Sequence, residues 1–225
     1  SFQPTISSGS WITIRGSGLA TTTRTWAAGD FQGNKLPLSL DGVSVQVNGK
    51  DAPVYFISPT QINALAPTDS ATGRVTVSVK NAAGTSSTTV SLQTSSPAFF
   101  TFDGTYIAAV HLDGTFVGPV GFLKGVTSRP ASPGERILLF GTGGGATSPA
   151  VAPETIFSGA APLSSSNALT MLFGTTTATV EFAGLISNGL NQFNIVVPRV
   201  AAGDYLVTPK IGTIVGDSAK LTVGN

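Results

Sequence analysis

The chain has 225 residues, of which 41% are hydrophobic and 10% are charged, and its formal net charge is +1. This length is enough for one full core or two smaller ones, and the near-neutral charge argues against nucleic acid as a partner, because such binding needs clustered Lys and Arg. The sequence contains no cysteine, which excludes disulfides, thiolate nucleophiles and Cys-ligated zinc.

Apolar and polar residues alternate along most of the chain, as in β-strands with one buried face. The stretches VSVQV (43–47), RVTVSVK (74–80) and TATVEF (177–182) each carry an apolar residue at every second position. Asn48-Gly49 directly follows the first stretch and predicts a tight hairpin turn. Further turn dipeptides are Asp41-Gly42, Asp103-Gly104 and Asp113-Gly114. Short strands separated by such turns predict a β-sandwich or barrel.

Three blocks of sequence occur twice in the same order. They are SSGSWITIRGSGL with SPGERILLFGTGGG, VSVQVNGKDAPVYFISPTQINALAP with LTMLFGTTTATVEFAGLISNGLNQFNIVVP, and ATGRVTVSVKNAAGTSSTTVSLQ with AAGDYLVTPKIGTIVGDSAKLTV. In the first block the glycines that align are Gly9, Gly16 and Gly18 with Gly134, Gly141 and Gly143. Three matching blocks in one order indicate an internal duplication.

The duplication predicts an all-β chain of two tandem immunoglobulin-like β-sandwich domains with an extra hairpin between them. The first domain is expected to span residues 1–96 and the second residues 131–225. Residues 97–130 are expected to form a joint and the extra β-hairpin. The three phenylalanines of SPAFFTF (96–102) predict a packed, rigid interface at this joint.

Several motifs taken together resemble one known family. In chain order they are SFQP, GSWITIRGSGLA, SLDGVSVQVNGKDAPVYFISPTQINALAP, SPAFFTFDG and SRPASPGERILLFGTGGG. They resemble the uncharacterised C-terminal domain of secreted, Solibacter-type bacterial proteins, and each half is also similar to the immunoglobulin-like IPT/TIG module. The resemblance implies the fold and an exported setting. The family has no assigned activity or catalytic residues, and its members carry more sequence upstream, so the chain is expected to be a processed or partial product.

The motif Gln-x-Asn-x-x-x-Pro occurs once in each copy of the duplication. Its residues are Gln61, Asn63 and Pro67 in the first copy and Gln192, Asn194 and Pro198 in the second. Alternation places the two amides of each copy on the face opposite the apolar side chains. A motif present in both copies is interpreted as part of the shared fold, with its amides bonding a neighbouring loop. A ligand-binding amide pair is the alternative.

The stretch TTTRTWAAGDFQGNK (21–35) predicts a long, polar, exposed loop. Its candidate ligand contacts are Arg24, Trp26, Asp30, Phe31 and Gln32. Trp26 would either stack on a sugar ring or pin the loop to the sheet. The other aromatic residues considered for stacking are Trp11, Tyr55, Tyr106 and Tyr205.

Patterns that would indicate catalysis or metal binding are weak. His111 is the single histidine, a triad would have to pair it with Asp113, and without a Gly-x-Ser-x-Gly elbow it is interpreted as an exposed strand or turn residue. Asp103 with Asp113 is the candidate for a weak calcium site. The glycine-rich GTGGGATSP (141–149) lacks the Lys-Ser/Thr ending of a phosphate loop. We expect no catalytic residues, no metal site and no cofactor.

The predicted function is a non-catalytic extracellular or cell-surface binding or adhesion module, with a polysaccharide or another surface protein as partner. The alternative is a structural subunit that self-associates into an extracellular filament or sheath through β-strand edges, since an open edge accepts a further strand. Neither interpretation involves nucleic acid. The chain also lacks an apolar run long enough for a membrane span.

Overall fold

The computed structural model describes residues 5–164 and 168–225, which form strands and turns with a short 3₁₀ helix at Ala28–Asp30. The strands of the first half are β1 (Thr5–Ser7), β2 (Trp11–Arg15), β3 (Arg24–Thr25), β4 (Ser39–Leu40), β5 (Val43–Val47), β6 (Lys50–Ala52), β7 (Val54–Ile57), β8 (Gln61–Leu65), β9 (Gly73–Asn81) and β10 (Gly84–Gln93). Those of the second half are β11 (Ala98–Phe99), β12 (Ala109–His111), β13 (Phe116–Val117), β14 (Ser128–Arg129), β15 (Arg136–Thr142), β16 (Ser158–Pro162), β17 (Leu169–Phe173), β18 (Thr176–Ser187), β19 (Leu190–Val196), β20 (Gly203–Ile211), β21 (Ile214–Val215) and β22 (Ala219–Val223). Within these residues no helix is long and apolar enough to cross a membrane.

The first half is a sandwich of two sheets. One sheet has the strand order β1-β10-β9-β5-β4 with β6 added beside β5, and the other has the order β2-β8-β7-β3. Two valine-rich strands supply much of the core, and their buried side chains are Val43, Val45, Val47, Val75, Val77 and Val79. The period-2 prediction for these two strands is confirmed, because the faces that carry the valines point at the opposite sheet.

The second half is also a sandwich, and one long strand takes part in both of its sheets. The first residues of β18 pair with β17, and the rest pair with β19. A bulge between Val180 and Phe182 shifts the register within this strand. The period-2 prediction for TATVEF therefore holds at Ala178, which is buried, but ends at the bulge, since Phe182 is half-buried.

Two predicted hairpin turns have the backbone that their sequences favour. Asn48 and Gly49 join β5 to β6 with φ of 51° and 75°, and Asp41 and Gly42 join β4 to β5 with φ of 48° and 78°. Positive φ at both central residues is the type I′ geometry, which matches the twist of the flanking strands. The turn chemistry of the sequence therefore fixes the register of both hairpins.

The duplication is visible in the strand registers. Trp11 of β2 lies opposite Leu65 of β8, and at the equivalent positions Arg136 of β15 lies opposite Val196 of β19. In the facing sheets, Gly73 is paired with Leu92, as Gly203 is paired with Val223. The chain is thus built from two tandem immunoglobulin-like sandwiches, and the registers of these strand pairs correspond in the two halves.

The extra hairpin is present and belongs to the second sandwich. Val110 of β12 pairs with Phe116 of β13, and β12 also pairs with β15. The phenylalanines of the joint pack within this half too: Phe99 is buried beside Phe193, and Phe102 stacks on Phe116. These ring contacts lie within the second half, whereas Phe99 and Phe100 also line a groove that residues of the first half line. The packed interface at the joint stays a prediction.

Other residues join the two halves. Residues 34–36 pair with residues 154–156, through Leu36 N–H to Glu154 O at 3.0 Å and Ile156 N–H to Asn34 O at 2.7 Å. Trp11 donates its backbone N–H to Oγ1 of Thr142 at 2.9 Å and its indole N–H to the carbonyl of Asn188 at 3.0 Å. The end of loop 21–35 is therefore docked on the second half, while Asn34 and Lys35 remain exposed, as predicted for the loop.

Candidate binding surface

Loop 21–35 is fastened by one arginine. The guanidinium of Arg24 donates to both carboxylate oxygens of Asp30, at 2.8 and 3.0 Å, and its Nε donates to Oδ1 of Asp41 at 2.9 Å. Asp30 also accepts from the backbone N–H of Ala27 at 2.7 Å, which closes the 3₁₀ turn. Two of the predicted contact residues, Arg24 and Asp30, thus bind each other and hold the loop in shape.

The same contacts determine the charges in the loop. Hydrogen bonds from Arg24, and secondarily from Ala27, lower the pKa of Asp30. Hydrogen bonds from Arg24 and Thr22 lower the pKa of Asp41. Asp30 and Asp41 in turn raise the pKa of Arg24. All three groups are therefore ionised at neutral pH, and the loop is held by charge-assisted hydrogen bonds.

Trp26 lies in a group of four rings, called here the aromatic cluster: Trp11, Trp26, Phe31 and Tyr55. The ring centre of Trp26 is 4.9 Å from that of Tyr55, 5.3 Å from Phe31 and 6.0 Å from Trp11. Rings at such separations attract one another through edge-to-face contacts. Trp26 also packs against the first core, and its backbone N–H donates to the backbone carbonyl of Tyr55. Trp26 therefore pins the loop to the sheet, the second of its two predicted roles.

Tyr55 presents the exposed part of the aromatic cluster. Its side chain is 37% exposed, Trp26 and Phe31 are half-buried, and Gln32 is exposed. Tyr55 was a stacking candidate in the sequence but lay outside the predicted patch, because it is distant from the loop along the chain. Pairing of β3 with β7 brings the two together. A register shift between Val54 and Phe56 interrupts the alternation of β7 at Tyr55, so the sequence pattern alone would not have shown its outward position.

The two Gln-x-Asn motifs have the same geometry in both halves. Nε2 of Gln61 donates to Oδ1 of Asn63 at 2.8 Å, and Nε2 of Gln192 donates to Oδ1 of Asn194 at 2.7 Å. Each pair of amides thus bonds internally along its strand, where a neighbouring loop had been expected as the partner. Pro67 is buried directly after β8.

In comparisons with known proteins, one family model matches part of the chain. Residues 1–102 match the IPT/TIG domain family. No curated protein matches the chain. Strands β1–β10, which lie within residues 1–102, are called the IPT/TIG half below.

Among solved structures, the chain is similar to SGBP-B of the Bacteroides ovatus mixed-linkage glucan utilization locus, solved in complex with a mixed-linkage heptasaccharide. That likeness has 12% identity, a TM-score of 0.40, and covers 100% of this chain and 44% of the other. For the Escherichia coli adhesin FdeC the values are 12%, 0.32, 99% and 62%. For tandem immunoglobulin domains of titin they are 13%, 0.24, 97% and 90%. The chain thus spans less than two thirds of the first two proteins, and ligand assignment has to come from the site itself.

His111 is not exposed, and the prediction that it would be is wrong. It is 1% exposed, because β12 lies between β13 and β15. Its Nδ1 lies 2.8 Å from Oε1 of Glu135, and its Nε2 lies 3.1 Å from the carbonyl of Arg129. Arg129 also donates to Glu135 at 2.9 Å. The orienting acid is therefore Glu135 rather than Asp113, and the group ties the extra hairpin to β15.

The carboxylates of the two candidate calcium ligands, Asp103 and Asp113, accept hydrogen bonds from backbone N–H groups of their own turns. Oδ1 of Asp103 accepts from the backbone N–H groups of Thr105 and Tyr106, and Oδ1 of Asp113 accepts from the N–H of Thr115. These bonds, the one from Tyr106 first, lower the pKa of Asp103, with burial opposing them. In residues 5–164 and 168–225 no group of three or more His, Asp or Glu is placed to hold a metal ion.

The glycine-rich stretch 141–149 lies at the junction between the halves. The carbonyl of Gly143 accepts from the N–H of Ser96 at 2.8 Å, and the N–H of Gly144 donates to Oδ1 of Asn191 at 2.9 Å. Gly143 and Gly145 have φ of 77° and 82°. The interpretation as a strand-end loop with unusual φ fits these values.

A cleft of about 340 Å³ separates this stretch from the IPT/TIG half. Two of its polar side chains bond within their own half. Ser8 donates to the carbonyls of Pro67 and Asp69, and Nδ2 of Asn188 donates to those of Pro153 and Thr155. These bonds fix one wall of the cleft in each half.

Proposed function

We propose that the protein is a non-catalytic binding module that holds a polysaccharide on the outer face of loop 21–35. The observation that carries the proposal is the exposed ring of Tyr55, which is backed by Trp11 and Trp26 beside a loop stapled by Arg24. An exposed ring fixed by neighbouring rings offers a flat apolar face at low cost in conformational entropy.

The predicted contact residues divide into two roles in this proposal. Arg24 and Asp30 act as a scaffold, because each already satisfies the other. Phe31 supports the aromatic cluster at the edge of Trp26. Gln32 is exposed and supplies an amide that both donates to and accepts from sugar hydroxyls. Contact with the ligand is thus assigned chiefly to Tyr55 and Gln32.

The setting is proposed on the sequence and the family. The IPT/TIG match of residues 1–102 and the tandem immunoglobulin-like architecture support a binding or adhesion module. The Solibacter-type motifs support an exported bacterial protein. A surface protein of another cell is the second partner class, since an exposed aromatic beside a polar loop also suits protein contacts.

Affinity electrophoresis in gels that contain soluble polysaccharides tests the proposal. Neutral β-glucans, α-glucans and xylans are suitable probes, each in a separate gel. We expect at least one to retard the wild-type chain and Tyr55→Ala to weaken that binding about tenfold, which corresponds to ~1.4 kcal/mol. Tyr55→Phe is the matched control and is expected to bind within about twofold, because it keeps the ring. Arg24→Ala is expected to weaken binding by loosening the loop.

Two results would count against the proposal. One is unchanged mobility of the wild-type chain in every gel. The other is retardation that Tyr55→Ala leaves intact while the variant remains folded by circular dichroism, which would move the contact away from the aromatic cluster.

A further inference from the structure

One side of the second sandwich is closed by a segment that has no counterpart in the IPT/TIG half. Residues 105–111 cross from β22 in one sheet to β15 in the other. At the β22 end, Ile107 N–H donates to the carbonyl of Lys220 at 2.9 Å, and Lys220 N–H donates to that of Thr105 at 3.0 Å. At the β15 end, β12 pairs with β15 in antiparallel register, with Val110 opposite Leu138.

This crossing segment also completes the second core. Ile107 is 1% exposed and Ala109 is fully buried, and both belong to the core cluster of that half. Two apolar side chains, two residues apart, therefore fill the space between the sheet edges. The backbone of residues 109–111 pairs with the edge of β15, and the side chains of Ile107 and Ala109 fill the core.

Among residues 5–164 and 168–225, no segment crosses the corresponding side of the IPT/TIG half as residues 105–111 cross the second half. The registers make β2 the counterpart of β15, with Thr13 equivalent to Leu138, and they make β10 the counterpart of β22, with Thr89 equivalent to Lys220. Among the described residues, β2 pairs within its sheet with β8 alone, and β1 covers β10 from Ser91 to Gln93. In an antiparallel pair, successive residues point their backbone groups alternately toward and away from the neighbouring strand. Gly16 points toward β8, because its N–H donates to the carbonyl of Thr60. Thr13 lies three residues earlier, so its N–H and C=O point away from β8.

A groove of about 500 Å³ runs along this side. Consecutive residues of β2 line it, which places it along the backbone edge rather than on one face of the strand. The residues of the first core that line it are Ile6, Ile12, Ile14, Val77 and Val90. Thr88 of β10 lies opposite Val77, on the core-facing side of its sheet, and yet it is exposed. Ile14 and Val90 are half-buried, so the first core is only partly covered where the second is covered by residues 105–111.

We propose that this groove binds an extended segment of a partner protein, which bridges β10 and β2 as residues 105–111 bridge β22 and β15. The segment would pair with the backbone of Thr89 at one end and of Thr13 at the other. It would insert two uncharged apolar side chains, two residues apart, between the sheets. This is strand addition to an edge, in which main-chain bonds supply affinity and alternate side chains supply specificity. The proposal does not rest on the polysaccharide site, which lies on loop 21–35.

The walls of the groove favour a single strand as its occupant. Residues 98–101 of the second half also line the groove. The edge of another folded sheet would bring a second strand about 4.8 Å beside the first. Residues 98–101 limit the room for that second strand, which favours a lone extended segment over the sheet edge of a second copy.

Selection from a displayed library of random linear octapeptides on the immobilised full chain tests the inference. Thr13→Pro is the comparison target, because proline removes the outward N–H of β2 and spares the bonds to β8. We expect peptides with apolar residues at positions i and i+2 to be enriched at least tenfold on the wild-type chain relative to Thr13→Pro. Thr13→Val keeps the N–H and is expected to select the same peptides.

The remaining outcomes are also decisive. Equal enrichment on Thr13→Pro, or none on the wild type, would overturn the proposal. So would a wild-type dimer in sedimentation that Thr13→Pro converts to monomer, because the occupant would then be a second copy. If Thr13→Pro does not fold, hydrogen exchange in the wild-type chain decides. The best peptide must then slow exchange of the Thr13 and Thr89 amides at least tenfold, and unchanged exchange refutes strand addition.

Discussion

Gly18 and Gly143 occupy equivalent positions of the two halves and share a left-handed backbone, with φ of 63° and 77°. A Cβ added at Gly18 would meet nothing within 4 Å, whereas one at Gly143 would lie 1.9 Å from the carbonyl oxygen of Ser96. The first glycine serves the shape of an exposed loop. Gly143 also lets the chain of the joint pass close to β15. The two copies thus share a backbone conformation, and the surroundings of Gly143 give it a second role.

Ser10 and Glu135 show the same divergence. In the first half Ser7 N–H donates to Oγ of Ser10 at 3.2 Å, and in the second half Ser132 N–H donates to Oε2 of Glu135 at 2.8 Å. Both side chains thus cap the same turn. The longer glutamate additionally reaches His111. The turn belongs to the repeat, but the ion-pair group belongs to the hairpin added in the second half.

The largest expected difference between the halves comes from alanine at the paired glycines. Gly143→Ala is expected to lower the free energy of unfolding by more than about 4 kcal/mol, because the backbone at Ser96 would have to move. Gly18→Ala is expected to cost about 1 kcal/mol, the strain of a left-handed alanine. Urea denaturation of both variants measures this. Equal losses would show that the junction tolerates the displacement.

Replacement of Glu135 tests the added ion-pair group. Burial raises the pKa of Glu135, but hydrogen bonds from Arg129, Ser132 and His111 outweigh it, so the net pKa is below the ordinary 4.5. A carboxylate with a lowered folded pKa adds stability that is present above its unfolded pKa and is lost as pH falls through the folded value. Glu135→Gln is therefore expected to cost about 1.5 kcal/mol at neutral pH and progressively less below about pH 4.5.

Ser10→Ala is the matched variant in the first half. It is expected to cost about 1 kcal/mol with no change across the same pH range, because a hydroxyl does not titrate there. Unfolding free energies as a function of pH compare the two. A Glu135→Gln cost that stays constant on acidification would show that the carboxylate is not held in its ionised form.

Trp11 and Arg136 test equivalent positions of β2 and β15. Trp11→Phe keeps a ring but removes the indole hydrogen bond to Asn188, and we expect it to cost about 1 kcal/mol. The side chain of Arg136 is 63% exposed and pairs with Glu181. Arg136→Ala is therefore expected to cost about 0.5 kcal/mol or less. Thermal unfolding ranks the two, and the reverse order would contradict the assignment of Trp11 to the junction.

The smallest effects are expected at the motif that both halves share. Gln61→Ala and Gln192→Ala each remove one amide hydrogen bond to an asparagine two residues on. We expect each to cost about 0.5–1 kcal/mol, and the two values to agree closely. A much larger loss at one position would indicate that this copy of the motif has gained another partner.

Local sequence patterns were sufficient to predict strands and turns, but they were not sufficient to predict the candidate binding surface. Valines at every second position predicted the buried faces of β5 and β9, and Asn48-Gly49 predicted its turn, because these depend on neighbours in sequence. The bulge in β18 and the burial of His111 depend on strands that are distant in sequence. Arg24 was predicted as a contact residue, yet Asp41 fixes it from outside the loop. The domain limits at residues 96 and 131 remain predictions.

The sequence by itself determined an all-β chain built twice, since alternation, turn dipeptides and repeated blocks act over a few residues and need no knowledge of what packs against them. Only the tertiary structure decided what each copied position does. It brought Tyr55 against loop 21–35, placed Gly143 against Ser96, and closed one sandwich with residues 105–111, for which the described part of the other half has no equivalent. These outcomes depend on contacts between distant segments, whose geometry is set by packing and by unpaired backbone groups rather than by local propensity.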